Sequence, residues 1–527
     1  WISGLFIVGS VVLLFLLFSG IGTELFPQVD TGQTQVRLRM PVGTRLERTD
    51  EGTRKLLAIT DSIAGKSNVE ITSAFMGTQP SSYPIDLIYI WTGGYNESVI
   101  KIKLKPGSIP MEAFKEKMRE MVKQQMPGAT ISFEPGDLVE QVLNMGSSNP
   151  IEIAVLNRNL QQGETVANQL VEKLSSISAL RDLQIATPLH YPAIQLHIDR
   201  IKAGQLGLTA AQISQSTIAA TSSSRFTAPV YWLDKSTGTA YQVQVQYPPY
   251  AMNAPSKIEQ IPVNNNQNEP IYLGQVASWQ MTTVPGEYDR LNQQRYITIT
   301  ANISGEDMGG VFKKVRQSIS EITNLPGNTK IMMRGQPDLL SGTLSNLQTG
   351  LLIAIIVILL IITIYFRSFR VALATLVIIP AVVSGSLLLL LITGKTLNIQ
   401  SYMGMIMAVG VAIANAVLFL TVAEINRKKN LEHVHLTAAA SRMRPILMTS
   451  IAMIAGMVPM AIGLGESGDQ TSPLGIAVIG GLLFSLVSVL FFLPHIYYLL
   501  EGRRKFTSPS LDPYDPESND YQSIHKS

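Results

Sequence analysis

Few side chains in this chain have a type and spacing suited to covalent chemistry. Cysteine is absent, which removes thiolate nucleophiles, disulfides and cysteine-based zinc sites together. The six histidines are scattered except for His433 and His435, a pair that reads as solvated rather than metal-bound. Gly463-x-Gly465-x-x-Gly468 has the letters of a dinucleotide-binding fingerprint. It follows an apolar run of membrane length instead of a strand, so nothing would cradle a pyrophosphate and the string reads as a turn. No Walker loop, HExxH or GxSxG string occurs. The twenty methionines offer soft thioether ligands of the kind that bind Cu(I). Met111, Met118, Met121 and Met126 recur at helical spacing, as core residues do, and Met40, Met76 and Met145 meet only if the fold brings them together. No enzyme is expected.

Binding and transport chemistry is better represented. Phe75, Tyr83, Tyr89, Trp91 and Tyr95 fall within one loop-rich segment. Aromatic faces offer large apolar area and cation–π capacity. The alternative is that Tyr89 and Trp91 are strand residues facing a core. The run Asp234–Gly238, which includes Lys235, predicts a hairpin tip between a short apolar run and the alternating segment 240–247. In the long apolar stretches the most polar interior groups are Asn415, Thr449, Ser450, Ser384, Ser386, Ser485 and Ser488. Hydrogen bonding between packed helices explains the serines, while Asn415 and Thr449 stand out as functional candidates. Those interiors hold no Asp, Glu, Lys or Arg, so a proton-driven machine would need its titratable groups elsewhere.

The elements that position these residues follow from hydropathy. Charged residues make up 15% of the 527, against about 25% in soluble domains, which points to a membrane protein. A net charge of +3 is too small and too dispersed for a nucleic-acid binder. Six apolar stretches are long enough to span a bilayer: 1–23, 350–366, 371–393, 402–423, 445–464 and 474–500. They are arranged one plus five around a polar insert. Arg367 and Arg370, then Arg427, Lys428, Lys429, Arg442 and Arg444, then Arg503, Arg504 and Lys505 all fall on one side, which the positive-inside rule assigns to the cytoplasm. The insert is then periplasmic in a double-membrane bacterium. Its strand-like runs at 34–40, 129–135, 151–156, 193–199 and 240–247 alternate with helical stretches at 45–64, 111–125 and 163–175. That pattern predicts a polytopic α-helical membrane domain carrying a large periplasmic α+β insert of sandwich subdomains. Residues 431–440 read as an interfacial helix or a plain loop, and 501–527 as a disordered tail. A start inside an apolar run, without Met, suggests one half of something longer.

Several stretches resemble the C-terminal half of the resistance–nodulation–division efflux permeases: FPQVDTGQTQVRLRMPVGTRLERT (26–49), LVEQVLNMGSSNPIEIAV (138–155), IDRIKAGQLGLTAAQI (198–213), GVAIANAVLFLTVAE (410–424) and RMRPILMTSIAMIAGMVPMAIGLGES (442–467). The subgroup resembled is that of the hydrophobe and multidrug exporters. The resemblance implies ferredoxin-like subdomains and a bacterial inner-membrane antiporter that uses the proton motive force and no cofactor. It implies a homotrimer, completed by the N-terminal half of the permease, a periplasmic adaptor and an outer-membrane channel. By the same resemblance, 1–24 is a first span, 25–191 and 285–343 are porter subdomains, 192–284 is a docking subdomain with its hairpin at Asp234, Lys235 and Gly238, and 344–500 holds five spans. The resemblance also implies substrate uptake in aromatic-lined pockets of the porter part, for which Phe75, Tyr83, Tyr89, Trp91 and Tyr95 are the candidates, suiting amphiphilic cations. The family's proton relay maps onto Arg442 and Thr449, with Asn415 beside the position where the family has a lysine. Here that position is Ala414, which cannot pair with a carboxylate. Two other readings stay open: a heavy-metal exporter, little supported by dispersed methionines, and a non-translocating partner subunit in a mixed assembly.

Overall fold

In the computed structural model, which describes residues 2–502 except 28–29, 79–89, 137–146, 265–268, 306, 323–324, 430–432 and 465–467, the insert is built from one repeated topology. Its first unit runs β1 (Gln33–Arg39), a helix Leu46–Ala64, β2 (Val69–Met76), β3 (Glu97–Leu104), a helix Met111–Gln125 and β4 (Thr130–Glu134). The antiparallel sheet has the order β2-β3-β1-β4, the ferredoxin-like arrangement. Alternation along β1 explains its two faces. Val36 and Leu38 are fully buried against the helices, while Gln35, Arg37 and Arg39 point to the other face. The second helix answers with Met111, Phe114, Met118 and Val122, all buried and at helical spacing.

The second unit repeats this plan and is interrupted. After β5 (Ile151–Leu156), a helix Leu160–Leu174 and β6 (Leu180–Ile185), the chain leaves for a separate lobe. That lobe holds β7 (Tyr191–Ile198), the hairpin β8 (Val230–Leu233) and β9 (Ala240–Val243), and β10 (Ala277–Val284), which pairs back onto β7. The chain then returns through β11 (Arg290–Leu291), β12 (Gln294–Ile303), a helix Met308–Ser320 and β13 (Lys330–Gly335). Since β6 pairs with β12 and β12-β5-β13 follow, the order matches the first unit, and the lobe fills the place of the hairpin between its second and third strands. The lobe has its own small core of Ile213, Ile261, Val263, Leu273 and Val276.

Among the described residues, six helices are long and apolar enough to cross a membrane: Ser3–Gly20, Gln336–Phe366, Phe369–Ile392, Ile399–Lys428, Val434–Ile462 and Gly468–Glu501. We call them the first to sixth spans. The third, fourth and sixth pack into one core because glycines let their backbones approach. A Cβ on Gly480 would lie 2.5 Å from the Gly385 carbonyl oxygen, and one on Gly404 would lie 2.6 Å from that of Leu474. The second and fifth spans are far more open, as is one stripe of the fourth: Met403, Met407, Gly410, Ala414 and Leu418. On the basic side, Arg427 bridges Glu424 at 2.8 Å and Glu501 at 3.1 Å, while the Tyr497 hydroxyl donates to Glu424 at 2.8 Å, tying the ends of the fourth and sixth spans.

Several expected boundaries change. The second span begins at Gln336, because the helix starts inside the insert and enters the membrane without a break. The fifth runs unbroken from Val434, so 434–440 is neither an interfacial helix nor a loop, and Arg442 and Arg444 lie on that helix. Asn159 caps the helix expected from Gly163, which starts three residues earlier. In 240–247 only the first four residues pair. Met145, Gly465 and the chain beyond 502 lie outside the described residues.

Gly480→Val is expected to cost about 1–3 kcal/mol through overpacking of the third and sixth spans. A lower thermal midpoint of the purified protein than for Gly342→Val, whose Cβ has open space around it, checks this.

Candidate functional site

A cavity of about 330 Å³ lies at the floor of the insert, where its two ferredoxin-like units meet the outer ends of the spans. The first unit contributes Gln33, Phe133 and Glu134, and the second Asn302, Ile303 and Met308. The chain leaving the first span adds Leu25 and Phe26, and Gln336 and Gln470 come from the first turns of the second and sixth spans. Its lining thus mixes apolar walls with carboxylates and cations: Asp30, Glu112 and Glu134 against Lys115 and Arg119.

One wall is a polar seam between the units. Arg119 makes a two-pronged contact with Asp182 of β6, at 2.8 and 2.7 Å, and its guanidinium sits 4.8 Å from the centre of the Phe133 ring. Burial works against the Arg119 charge, but the hydrogen bond and charge of Asp182 outweigh it and raise its pKa. Asn302 donates to Asp182 and to the Phe133 carbonyl, both at 2.8 Å, and Asn149 donates to Phe133 at 3.0 Å. Asp30 closes the floor by accepting from the backbone of Met111 at 2.9 Å, at the start of a helix that lacks an N-cap side chain.

Behind Glu134 lies a cluster that no periodicity argument could find. Arg37 of β1 is buried with Glu134 of β4 at 2.6 Å and Glu97 of β3 at 3.3 Å, and Arg39 meets Glu97 at 2.9 Å. Burial alone would lower the Arg37 pKa, and the two carboxylates reverse this and raise it. Arg37 also donates to two successive carbonyls, Ile90 at 2.8 Å and Trp91 at 2.9 Å. Thr92 donates to the Gly77 carbonyl at 2.9 Å, so the two ends of segment 78–91 are drawn together. The sequence signal available was RLR in a strand whose other face carries Thr34, Val36 and Leu38, two cations alternating with core positions.

Of the aromatic candidates, Tyr83 and Tyr89 lie outside the described residues. Phe75 is half-buried on β2 opposite Val99. Trp91 has a left-handed backbone (φ 52°) and is 58% exposed, so it is not a strand residue facing a core. Tyr95 is exposed and its carbonyl accepts from Thr49 at 2.8 Å. The Asp234–Gly238 tip is a hairpin turn: Gly238 donates to the Asp234 carbonyl at 2.8 Å. The Asp234 carboxylate accepts from the hydroxyls of Ser236 and Thr237, which holds its pKa down, and Lys235 is exposed beside it.

The membrane candidates separate. Asn415 faces inward and donates to Ser450 at 3.3 Å, an interhelical bond between the fourth and fifth spans. Ala414, its neighbour, lies on the open stripe instead. The Thr449 hydroxyl donates to its own helix at the Pro445 and Ile446 carbonyls, both at 3.1 Å, and Arg442 is half-buried two turns away. Asn415, Thr449 and Arg442 therefore do not form one hydrogen-bonded chain.

Six spans in a one-plus-five arrangement around paired ferredoxin-like units, with a cavity at their junction, define a multi-pass membrane protein of transporter architecture. The model of the AcrB/AcrD/AcrF family matches residues 1–501, and the chain belongs to that family, a resistance–nodulation–division family of transporters rather than enzymes. It is 24% identical over 518 residues to the cobalt-zinc-cadmium resistance protein CzcA of Cupriavidus metallidurans, covering 96% of this chain and 47% of that protein. The cation efflux system protein CzcA of an Alcaligenes species is likewise 24% identical over 528 residues, covering 96% and 47%. The chain therefore spans about half the length of these curated relatives. The crystal structure of a heavy metal efflux pump shares the fold, with a TM-score of 0.82 at 21% identity over 95% of this chain and 50% of that one.

Replacing Arg37 with Met leaves Glu97 and Glu134 buried without their shared cation, an expected loss of about 3–5 kcal/mol. Denaturant melts of the purified protein measure it, and limited proteolysis should show faster cleavage within 78–91.

Proposed function

We propose that this chain is the C-terminal half of a proton-driven exporter of metal cations in a bacterial inner membrane, with its insert in the periplasm. The observation that carries the reading is the cavity between the two ferredoxin-like units, lined by three carboxylates and opening beside the spans, in a chain of this family. The relatives favour metal cargo: proteins similar over nearly the whole chain are named for cobalt, zinc and cadmium resistance and for cation efflux. This reverses the order of preference set by the sequence motifs, which placed hydrophobic compounds first and metals second. Among the described residues no group of three or more His, Asp or Glu is arranged to hold a metal ion. That suits cargo that must leave again: carboxylates already engaged by Arg37, Lys115 and backbone amides would bind a divalent cation weakly.

A second reading, export of amphiphilic organic cations, has its own observation in the exposed Trp91 and Tyr95. In both readings residues 25–191 and 285–343 act as porter subdomains, 192–284 docks against an outer-membrane channel, and a trimer works with a periplasmic adaptor. The Asn415, Thr449 and Arg442 positions serve the relay with Ala414 in place of the lysine, completed by groups in the other half of the permease.

Cells lacking their own pumps, expressing the full-length gene with its adaptor, should tolerate several-fold more zinc, cobalt or cadmium and accumulate less of it, and a protonophore should abolish the difference. A fall in dye accumulation with unchanged metal content would favour the second reading, and no change in either, with the protein in the membrane, would favour a non-translocating partner. Thr449→Ala should reduce efflux at equal expression and unchanged thermal midpoint; full efflux would remove Thr449 from the relay.

A further inference from the structure

One half-buried carboxylate is used by none of these features. Where the chain leaves the first span, residues 22–25 lie against the loop that enters the fourth span. Thr23 and Leu397 form a parallel bridge, Leu397 donates to the Gly22 carbonyl at 2.8 Å, and Glu24 donates to that of Leu397 at 3.1 Å. On its other side the same segment holds the insert. Gly309 donates to the Thr23 carbonyl at 2.9 Å, and the Thr23 amide donates at 3.2 Å to Asp307, the N-cap of helix Met308–Ser320. The approach is close enough that a Cβ on Gly309 would overlap the Thr23 hydroxyl and one on Gly22 would lie 2.5 Å from Asp307. Each strand of the joint crosses from one core to the other. Ile21 and Leu397 are buried in the membrane core, whereas Leu25 is buried in the core of the second ferredoxin-like unit, against which Ile399 packs.

Glu24 sits inside this joint. Its carboxylate accepts from the Thr396 hydroxyl and, at 3.4 Å, from the Asn398 amide. Asn398 is fully buried and caps the fourth span, accepting from Ser401 at 2.9 Å. The charged groups facing Glu24 are Lys395 from the same loop and Asp307 from the insert helix; Lys395 itself pairs with Asp469, at the start of the sixth span, at 3.3 Å.

We propose that Glu24 is the proton-binding group of a joint that couples the fourth span to the insert, exchanging its proton with the insert side of the membrane. Protonated, it leaves Lys395 to Asp469; ionised, it competes for Lys395 and pulls on the cap of the fourth span, so that one proton changes the contacts of the fourth span, the sixth span and the insert helix together. Burial raises the Glu24 pKa, and the bonds from Thr396 and Asn398 and the charge of Lys395 only partly offset this. A carboxyl with a raised pKa stabilises the folded joint when protonated, and that stabilisation is lost as pH rises through the raised value. The proposal rests on the reading of this protein as a proton-driven transporter for its use, but not for its test.

The test is hydrogen exchange on the full-length protein in detergent, read at the Leu397 and Gly309 amides and corrected for the pH dependence of intrinsic exchange. Corrected opening in the wild type should rise about five-fold or more as pH climbs from the ordinary glutamate range to neutrality, while Glu24→Gln should change by less than about two-fold. Glu24→Asp, which keeps a titratable group, should retain the dependence with a shifted midpoint, and serves if the glutamine variant folds poorly. An identical pH dependence in wild type and Glu24→Gln overturns the proposal. In transport assays Glu24→Gln should flatten the pH profile of efflux while leaving cargo binding intact. A wild type that moves no cargo would sink the transporter reading and leave the exchange result to decide Glu24 by itself.

Discussion

The constraint on which the rest of the structure depends is that a soluble insert of more than three hundred residues must be gripped by the membrane at a few points, without loosening either core. Residues 22–25 and 396–399 meet this by pairing side by side as they pass from one core to the other. The second span does it differently, running as one helix from Gln336 inside the insert to Phe366. A flexible linker at either place would let the two bodies move independently. A continuous helix and a hydrogen-bonded bridge instead tie the spans to the insert, the bridge reaching the helix Met308–Ser320 through Thr23.

The same economy places the cavity. Where the two ferredoxin-like units meet, Arg119 on a helix of the first reaches Asp182 on β6 of the second, and Glu134 lines the cavity with Arg37 and Glu97 behind it. Ion pairs of this depth gain little net stability, because desolvation consumes most of the attraction. What they supply is position: Arg37 fixes the backbone at Ile90 and Trp91, and the Asp182 contacts hold the two units in register.

Much of this was legible in the sequence and some of it was not. Six spans, their one-plus-five order and an α+β insert follow from hydropathy and alternation, since burial in lipid or in a sheet imposes a pattern on consecutive residues. The helix Met111–Gln125 and the strand Ile151–Leu156 match their expected limits for that reason. Boundaries that depend on partners were not visible. Residues 336–349 are too polar to read as part of a span, and 434–440 is a short stretch set between the charged groups at 424–432 and 442–444, which is why it reads as a separate interfacial helix or loop. The site was the least legible part, because Glu24, Arg37, Glu134 and Asp182 acquire their roles from residues up to hundreds of positions away. Glu24 is an ordinary glutamate after an apolar run until the loop at 396–398 closes over it. The aromatic pocket and the relay roles came from resemblance, while Asn415 and Thr449 themselves stood out as polar groups inside apolar stretches. The structure separates Asn415 from Ala414 by direction and leaves Thr449 bonded to its own helix.

The most direct measurement is a reversible lock on the joint. Thr23→Cys with Leu397→Cys, in a full-length protein otherwise free of cysteine, places two thiols across the parallel bridge that ties the first span to the fourth. If the joint must rearrange in each cycle, the oxidised protein will bind its cargo and fail to move it, and reductant will restore transport. Undiminished transport by fully oxidised protein would show that the joint is only a fixed brace, and coupling between membrane and insert would have to run elsewhere.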